Sequence, residues 1–322
     1  RGFPSSPVIH FLPLPEAAGQ RLWDARVPEP PVVDYALRRR GPRAVTTFHP
    51  TTIWRMALYS FTYTRAKSLA EARDMLAKDE GAKLLSGGMT LIPTLKQRLA
   101  SPSQLIDISE IAELRGIADK GDRIEIGATT QHGETASSAI VKQKIPALAY
   151  LASQIGDPQV RNRGTMGGSV ANNDPVADYP AAVLGLGATI RTSKREIAAD
   201  AFFKGMFETA LQAGEIITSV SFPAPKRAAY MKFKNPASRF AIVGVFVADT
   251  ANGPRVAVTG AGPGVFRVPE MEKALAAKFA PESVANIKVP EKGLNSDIHA
   301  KADYRAHLVT VMAKRAVEAA LK

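Results

Sequence analysis

The chain has 322 residues, 45% of them apolar, and carries a formal net charge of +12 with no cysteine. That length suffices for two or three packed lobes, and the apolar runs are too short and interrupted for a membrane-spanning helix of about 20 residues. The absence of thiols excludes disulfides, thiolate zinc sites and iron–sulfur ligation on this chain.

Residues 1–55 hold eight arginines, no lysine and nine of the 23 prolines, whereas lysine first occurs at Lys67. With no hydrophobic periodicity, this stretch is expected to be an unstructured extension. It reads as sequence upstream of the true start and foreign to the native protein, as a targeting peptide, or as a linker. The first reading is preferred, because Glu16, Asp24, Glu29 and Asp34 do not suit a transit peptide and no apolar signal core is present. Met56 then reads as a natural start.

Ser68-Leu-Ala-Glu71 is a capping box opening a helix to about Lys78. Strands are expected at 82–86, 104–108 and 123–128, helices at 146–155 and 181–186, and strands at 188–192, 215–222, 230–234, 242–248 and 256–260. Helices return at 269–279 and 302–321, the last with Tyr304, Leu308, Val311, Met312 and Val317 at helical spacing. The pattern is α+β, and "PAPKRAAY" at 223–230 marks the expected boundary. Two lobes, 56–110 and 111–222, would precede it, and a small C-terminal α+β domain, 228–322, would follow.

Two glycine pairs stand out. Gly87-Gly88 lies in "LLSGGMTLIPTLKQRL" and Gly167-Gly168 in "VRNRGTMGGSVANNDPVADYP". A lone glycine pair is usually a turn, but each of these follows an apolar run and precedes a helix-like segment. Adjacent glycines let consecutive amides form an anion-binding nest, and a helix starting beyond adds its positive end. A diphosphate gripped from two sides fits, filling the space that side chains would otherwise take. Ser86 and Thr90 flank the first pair with hydroxyls, and Thr165 and Ser169 flank the second. Asn172, Asn173 and Asp178 suit the hydroxyls of a polyol; Asp178 suits equally well the N-cap of the helix entered at Pro180. Neither GxGxxG nor GxxxxGK[ST] occurs, and "GAGPG" at 260–264 reads as a strand end and turn.

These motifs, with "KFKNPASRFAIVGV" and "VAVTGAGPGVFR", resemble the FAD-binding medium subunit of the molybdenum hydroxylases, a family that includes xanthine and carbon monoxide dehydrogenases. The carbon-monoxide-dehydrogenase-like branch looks most similar, and the resemblance covers Met56 to Lys322. It implies a two-lobed FAD-binding domain of the vanillyl-alcohol-oxidase (PCMH) type followed by a small α+β domain, with non-covalent FAD between the lobes. Carried over by motif, Leu85, Ser86, Gly87, Gly88, Met89, Thr90 and Leu91 form the first binding loop. Thr165, Gly167, Gly168, Ser169 and Asn172 form the second, Asp178 meets the polar FAD chain, and Ile217 and Lys232 lie near the flavin or its adenosine.

The family's chemistry places molybdopterin on a large subunit and two [2Fe–2S] clusters on a small one, in a dimer of heterotrimers, with this chain passing electrons to an external acceptor. No catalytic side chain is assigned, because flavin carries the redox work. No metal site is expected either: the five histidines lack ligand spacing. The basic residues are interleaved with acids and accompany no nucleic-acid motif, so the charge suits an anionic cofactor or acidic partner rather than nucleic acid. A cytoplasmic location is expected. His132 reads as structural or solvent-facing, and Arg161 and Arg163 as orienting the second loop, facing the cluster-bearing partner, or simply solvated. The competing functions are a free-standing flavin oxidase of the same fold and a non-catalytic nucleotide-binding protein.

Overall fold

A computed structural model describes residues 58–322; the extension expected at 1–55, and the start at Met56, lie outside the described residues. The capping box forms. Ser68 accepts from the Glu71 amide, and the Glu71 carboxylate takes the amide of Lys67, so the helix Leu69–Lys78 begins where the motif places it. Its Ala72 packs onto a three-stranded parallel sheet of β1 (Thr62–Arg65), β2 (Lys83–Leu85) and β3 (Gln104–Asp107), ordered β1-β3-β2. Parallel pairing needs a crossover connection. The helix Leu69–Lys78 joins β1 to β2, and Leu91–Lys96 lies between β2 and β3.

Next come β4 (Ile117–Asp119), β5 (Arg123–Gly127), β6 (Thr189–Thr192), β7 (Glu196–Ala198), the hairpin of β8 (Phe203–Gly205) and β9 (Glu208–Thr209), and β10 (Ile217–Pro223). A five-stranded antiparallel sheet has the order β4-β5-β10-β6-β7. Between β5 and β6 run the helices His132–Ser137, Ala139–Lys144, Pro146–Ser153, Pro158–Arg161, Met166–Asn172 and Tyr179–Gly185. Prolines occupy the first turn of three of them, where a missing N–H costs nothing.

The chain then enters a four-stranded antiparallel meander, β11 (Arg227–Lys234), β12 (Ala241–Thr250), β13 (Gly253–Thr259) and β14 (Phe266–Arg267). Strand β12 is apolar on both faces, and strand periodicity sorts its side chains. Val243, Val245 and Val247 pack with Val256 and Val258 under the helices Pro269–Ala277 and Ala302–Ala320. On the other face Phe246, Ala248 and Ala257 join the core beneath the helices that precede β6. Tyr304, expected on the apolar face of the last helix, is instead 44% exposed and meets Phe233 edge-on.

Arg305 is a cation buried to 2% exposure, donating to the carbonyls of Ile242 (2.7 Å) and Gly260 (2.9 Å) and to Asp297 (2.7 Å). It pins the 260–264 turn to the last helix. Arg305→Ala would remove the buried donor to the Ile242 and Gly260 carbonyls and the cation that pairs with Asp297. It should lower unfolding free energy by about 3–5 kcal/mol, read as a lower denaturant midpoint.

Candidate cofactor-binding site

The first glycine loop leaves β2 at Leu85 and reaches the helix Leu91–Lys96; the second, 163–169, enters the helix Met166–Asn172. They meet directly. Ser86 Oγ and Thr165 Oγ1 lie 3.0 Å apart, and a Cβ on Gly87 would stand 2.0 Å from the Arg163 carbonyl oxygen. Gly87 is therefore glycine because the partner loop's backbone fills its side-chain space, which corrects the expectation that a ligand does. The same holds for Gly167, whose Cβ would fall 2.5 Å from Ala128 at the end of β5. Gly88 is required by its φ of +72°. Only Gly168 opens outward, with Thr165 Oγ1 at 2.8 Å from the added Cβ as its single near neighbour.

The loops differ in their backbone donors. In the second loop, Met166 N–H donates to Thr130, Gly167 N–H to Ala128, Gly168 N–H to Thr165 Oγ1 and Ser169 N–H to the Thr165 carbonyl. Its amides are thus spent on its own geometry, a second correction to the symmetric nest. The first loop is the opposite case: the amides of Gly87, Gly88, Met89, Thr90 and Leu91 donate to no protein group among the described residues. Met89 and Thr90 are exposed, and Thr90 makes no side-chain cap. Unpaired consecutive donors of this kind need water or an anion.

Asp178 lies at the start of the helix Tyr179–Gly185 without capping it. Its carboxylate accepts from Tyr230 Oη (2.5 Å) and from Lys232 Nζ (2.8 Å), with both ion-pair side chains at most 3% exposed. Lys232 also donates to the Gln154 carbonyl at 3.2 Å. Burial pushes the Asp178 carboxyl above the usual carboxylate range, opposed by the Lys232 ammonium and then by the Tyr230 hydroxyl. Asp178 and Lys232 thus form a second cluster whose polar groups satisfy one another. Ile217 is buried at the first position of β10, and Ala128 N–H donates to the neighbouring Thr218 carbonyl, so Ala128 ties this strand to Gly167. Asn172 is half-buried at the end of its helix. Asn173, in left-handed conformation, donates from its carboxamide to the carbonyls of Gly205 and Glu208 and so holds the β8–β9 hairpin.

His132 is the buried first residue of the helix His132–Ser137, in keeping with the structural reading and not the solvent-facing one. Its N–H donates to Gly164, its ring meets Tyr179 edge-on at 5.2 Å, and its Nδ1 has no partner among the described residues. A Cβ on Gly164 would stand 2.5 Å from its Nε2, so the ring braces the second loop from behind. "RNRG" carried a signal for this close packing in Gly164, but nothing in the sequence located the ring.

Burial, and next the Arg161 charge, hold His132 down at about 4. Between the ordinary histidine range and that value the unfolded chain binds a proton that the native chain refuses. Stability therefore falls as pH drops from about 6.5 to 4, by about 3 kcal/mol in total from this residue. His132→Gln should flatten that stretch of the stability–pH curve, measured by denaturant melts at pH 7 and pH 4.

A family model described as the FAD binding domain in molybdopterin dehydrogenase matches residues 59–225, and the chain belongs to that family. It is an FAD-binding oxidoreductase chain of the molybdenum hydroxylase class. The carbon monoxide dehydrogenase medium chain of Hydrogenophaga pseudoflava is 37% identical over 279 residues, covering 81% of this chain and 96% of that one. The nicotine 6-hydroxylase medium subunit of Paenarthrobacter nicotinovorans is 34% identical, covering 81% and 98%. The solved carbon monoxide dehydrogenase of H. pseudoflava, in a form lacking the Mo-pyranopterin moiety, superposes with a TM-score of 0.75 at 36% identity, covering 83% of this chain and 99% of that chain.

Proposed function

We propose that this chain is the medium subunit of a carbon-monoxide-dehydrogenase-like molybdenum hydroxylase, working with a small [2Fe–2S] subunit and a large molybdopterin subunit in a dimer of heterotrimers. The observation that carries the reading is the run of five unpaired amides from Gly87 to Leu91, set beside the Ser86–Thr165 junction. A diphosphate would accept from those amides, while the Ser169 hydroxyl and the open side of Gly168 receive it from the second loop. When bound, FAD supplies the redox chemistry, accepting electrons from the cluster-bearing partner and yielding them to an external acceptor.

The chain's own residues bind and orient. Leu85 and Leu91 fix the ends of the first loop, Thr165 locks it to the second, and Asn172 and Ile217 border the cleft. Asp178 is assigned to the polar FAD chain and Lys232, its ion-pair partner, to the flavin or adenosine end. The parallel β1–β3 unit and the β4–β10 sheet are read as the two lobes of a PCMH-type domain (56–110 and 111–222), and 228–322 as the C-terminal domain. No helix among the described residues is long and apolar enough to cross a membrane, and the proposed setting is the cytoplasm.

The test is anaerobic. The purified, FAD-loaded chain should stay oxidised with candidate organic substrates and become reduced only after both partner subunits are added. Rapid reduction by a substrate with the chain alone would replace this reading with a free-standing oxidase, and a chain that takes up no flavin would replace it with a non-catalytic protein.

A further inference from the structure

At the far end of the helix Met166–Asn172 from the glycine loops, a cavity of about 430 Å³ lies between the β8–β9 hairpin, the turn 262–268 and the segment 288–294. That volume falls in the range of small-ligand pockets. Phe203, Phe266 and Val289 supply apolar wall, and Asn173 contributes to the side nearest the helix. The charged lining is lopsided. Arg267 is neutralised by Glu272 and Asp200, but among the described residues the side chains of Lys204, Lys288 and Lys292 find no ion-pair or hydrogen-bond partner, and Glu270 is the one carboxylate of the lining left unpaired.

We infer that this cavity is a second ligand site, taking a small molecule with a flat apolar body and a carboxylate. The body would pack between Phe203, Phe266 and Val289, and the carboxylate would sit among the lysines. The pairing follows from the lining: an apolar wall gives burial without direction, and unpaired ammonium groups select an anion over its neutral isostere. Asn173 makes the position consequential. Its carboxamide donates to Gly205 and Glu208, and its carbonyl accepts from Phe207 N–H, so the hairpin forming one wall is fastened to the helix that starts in the second glycine loop. A molecule wedged against Gly205 therefore touches the same rigid unit that shapes the flavin loop. The inference rests on the cavity and not on the flavin reading.

Isothermal titration with naphthalene-2-carboxylate, on the full chain with and without FAD, tests this. Saturable one-to-one binding is expected, with naphthalene-2-methanol binding at least about tenfold more weakly. The combined Lys204→Glu, Lys288→Glu and Lys292→Glu change should weaken the carboxylate by about tenfold or more while leaving flavin content and melting temperature unaltered. Val289→Trp should remove binding by filling the cavity; should that variant not fold, the exposed lysine changes carry the same test. The proposal fails if no saturable binding occurs, if charge reversal leaves the affinity unchanged, or if FAD competes with the carboxylate. Loss of binding upon assembly with the partner subunits would overturn it in favour of a protein contact at the mouth.

Discussion

Gly87→Ala is expected to strip FAD from this chain. The new methyl would stand 2.0 Å from the Arg163 carbonyl oxygen, a backbone atom with no freedom to swing away. The loops must separate, breaking the Ser86–Thr165 hydrogen bond and turning the free amides of 87–91 out of register. A loss of at least ~3 kcal/mol in FAD binding, a hundredfold in affinity, follows for a forced rearrangement of this kind. Gly168→Ala should cost less, because its added methyl meets no backbone atom of the partner loop and crowds only the Thr165 hydroxyl at 2.8 Å. Flavin absorbance per chain after gel filtration reads both variants. Full flavin occupancy in Gly87→Ala would refute the loop-contact explanation.

Lys232→Met should be the most destabilising substitution in the Asp178 cluster. It leaves a carboxylate, itself almost fully buried, with only the Tyr230 hydroxyl for company. Breaking one side of such a pair costs about 3–5 kcal/mol, whereas replacing both partners by apolar groups of similar size is often nearly neutral. The double change Lys232→Met with Asp178→Leu should therefore recover much of what the single change loses, seen as a non-additive double-mutant cycle in denaturant midpoints. Additive losses would mean that the pair is not coupled, and the geometry would need another explanation.

The fold was largely legible because its signals are local. The Ser68 box, the proline at 146 and the alternation in 242–248 each name an element through backbone chemistry carried by a few neighbouring residues. Strand β1 carries no such signal: "TYTR" is short and largely exposed, and only its pairing with β3 makes it a strand. The helices His132–Ser137 and Ala139–Lys144 are silent in the sequence for a related reason, being six residues each and stabilised by packing more than by propensity.

At the site, the glycine pairs were found from sequence, but not the division of work between them. Whether an amide is free depends on which carbonyl lies opposite, and Ala128 and Thr130 come from a segment more than thirty residues upstream of the second pair. The acidic residue at 178 stands out in the sequence, yet it sits at a helix start and its partners Tyr230 and Lys232 arrive from strand β11, beyond any local pattern.

That meeting limits how the protein can be rearranged. The bend between β10 and β11 looks like a convenient seam for grafting the C-terminal sheet of one relative onto the front half of another. Tyr230 and Lys232, however, are the hands that close over a carboxylate supplied by the front half, and Phe246, Ala248 and Ala257 plug its interior. A hybrid would thrive only where both donors and the small–large order of those plugs travel together with the acid they serve, so the two halves are constrained to be inherited as a matched set.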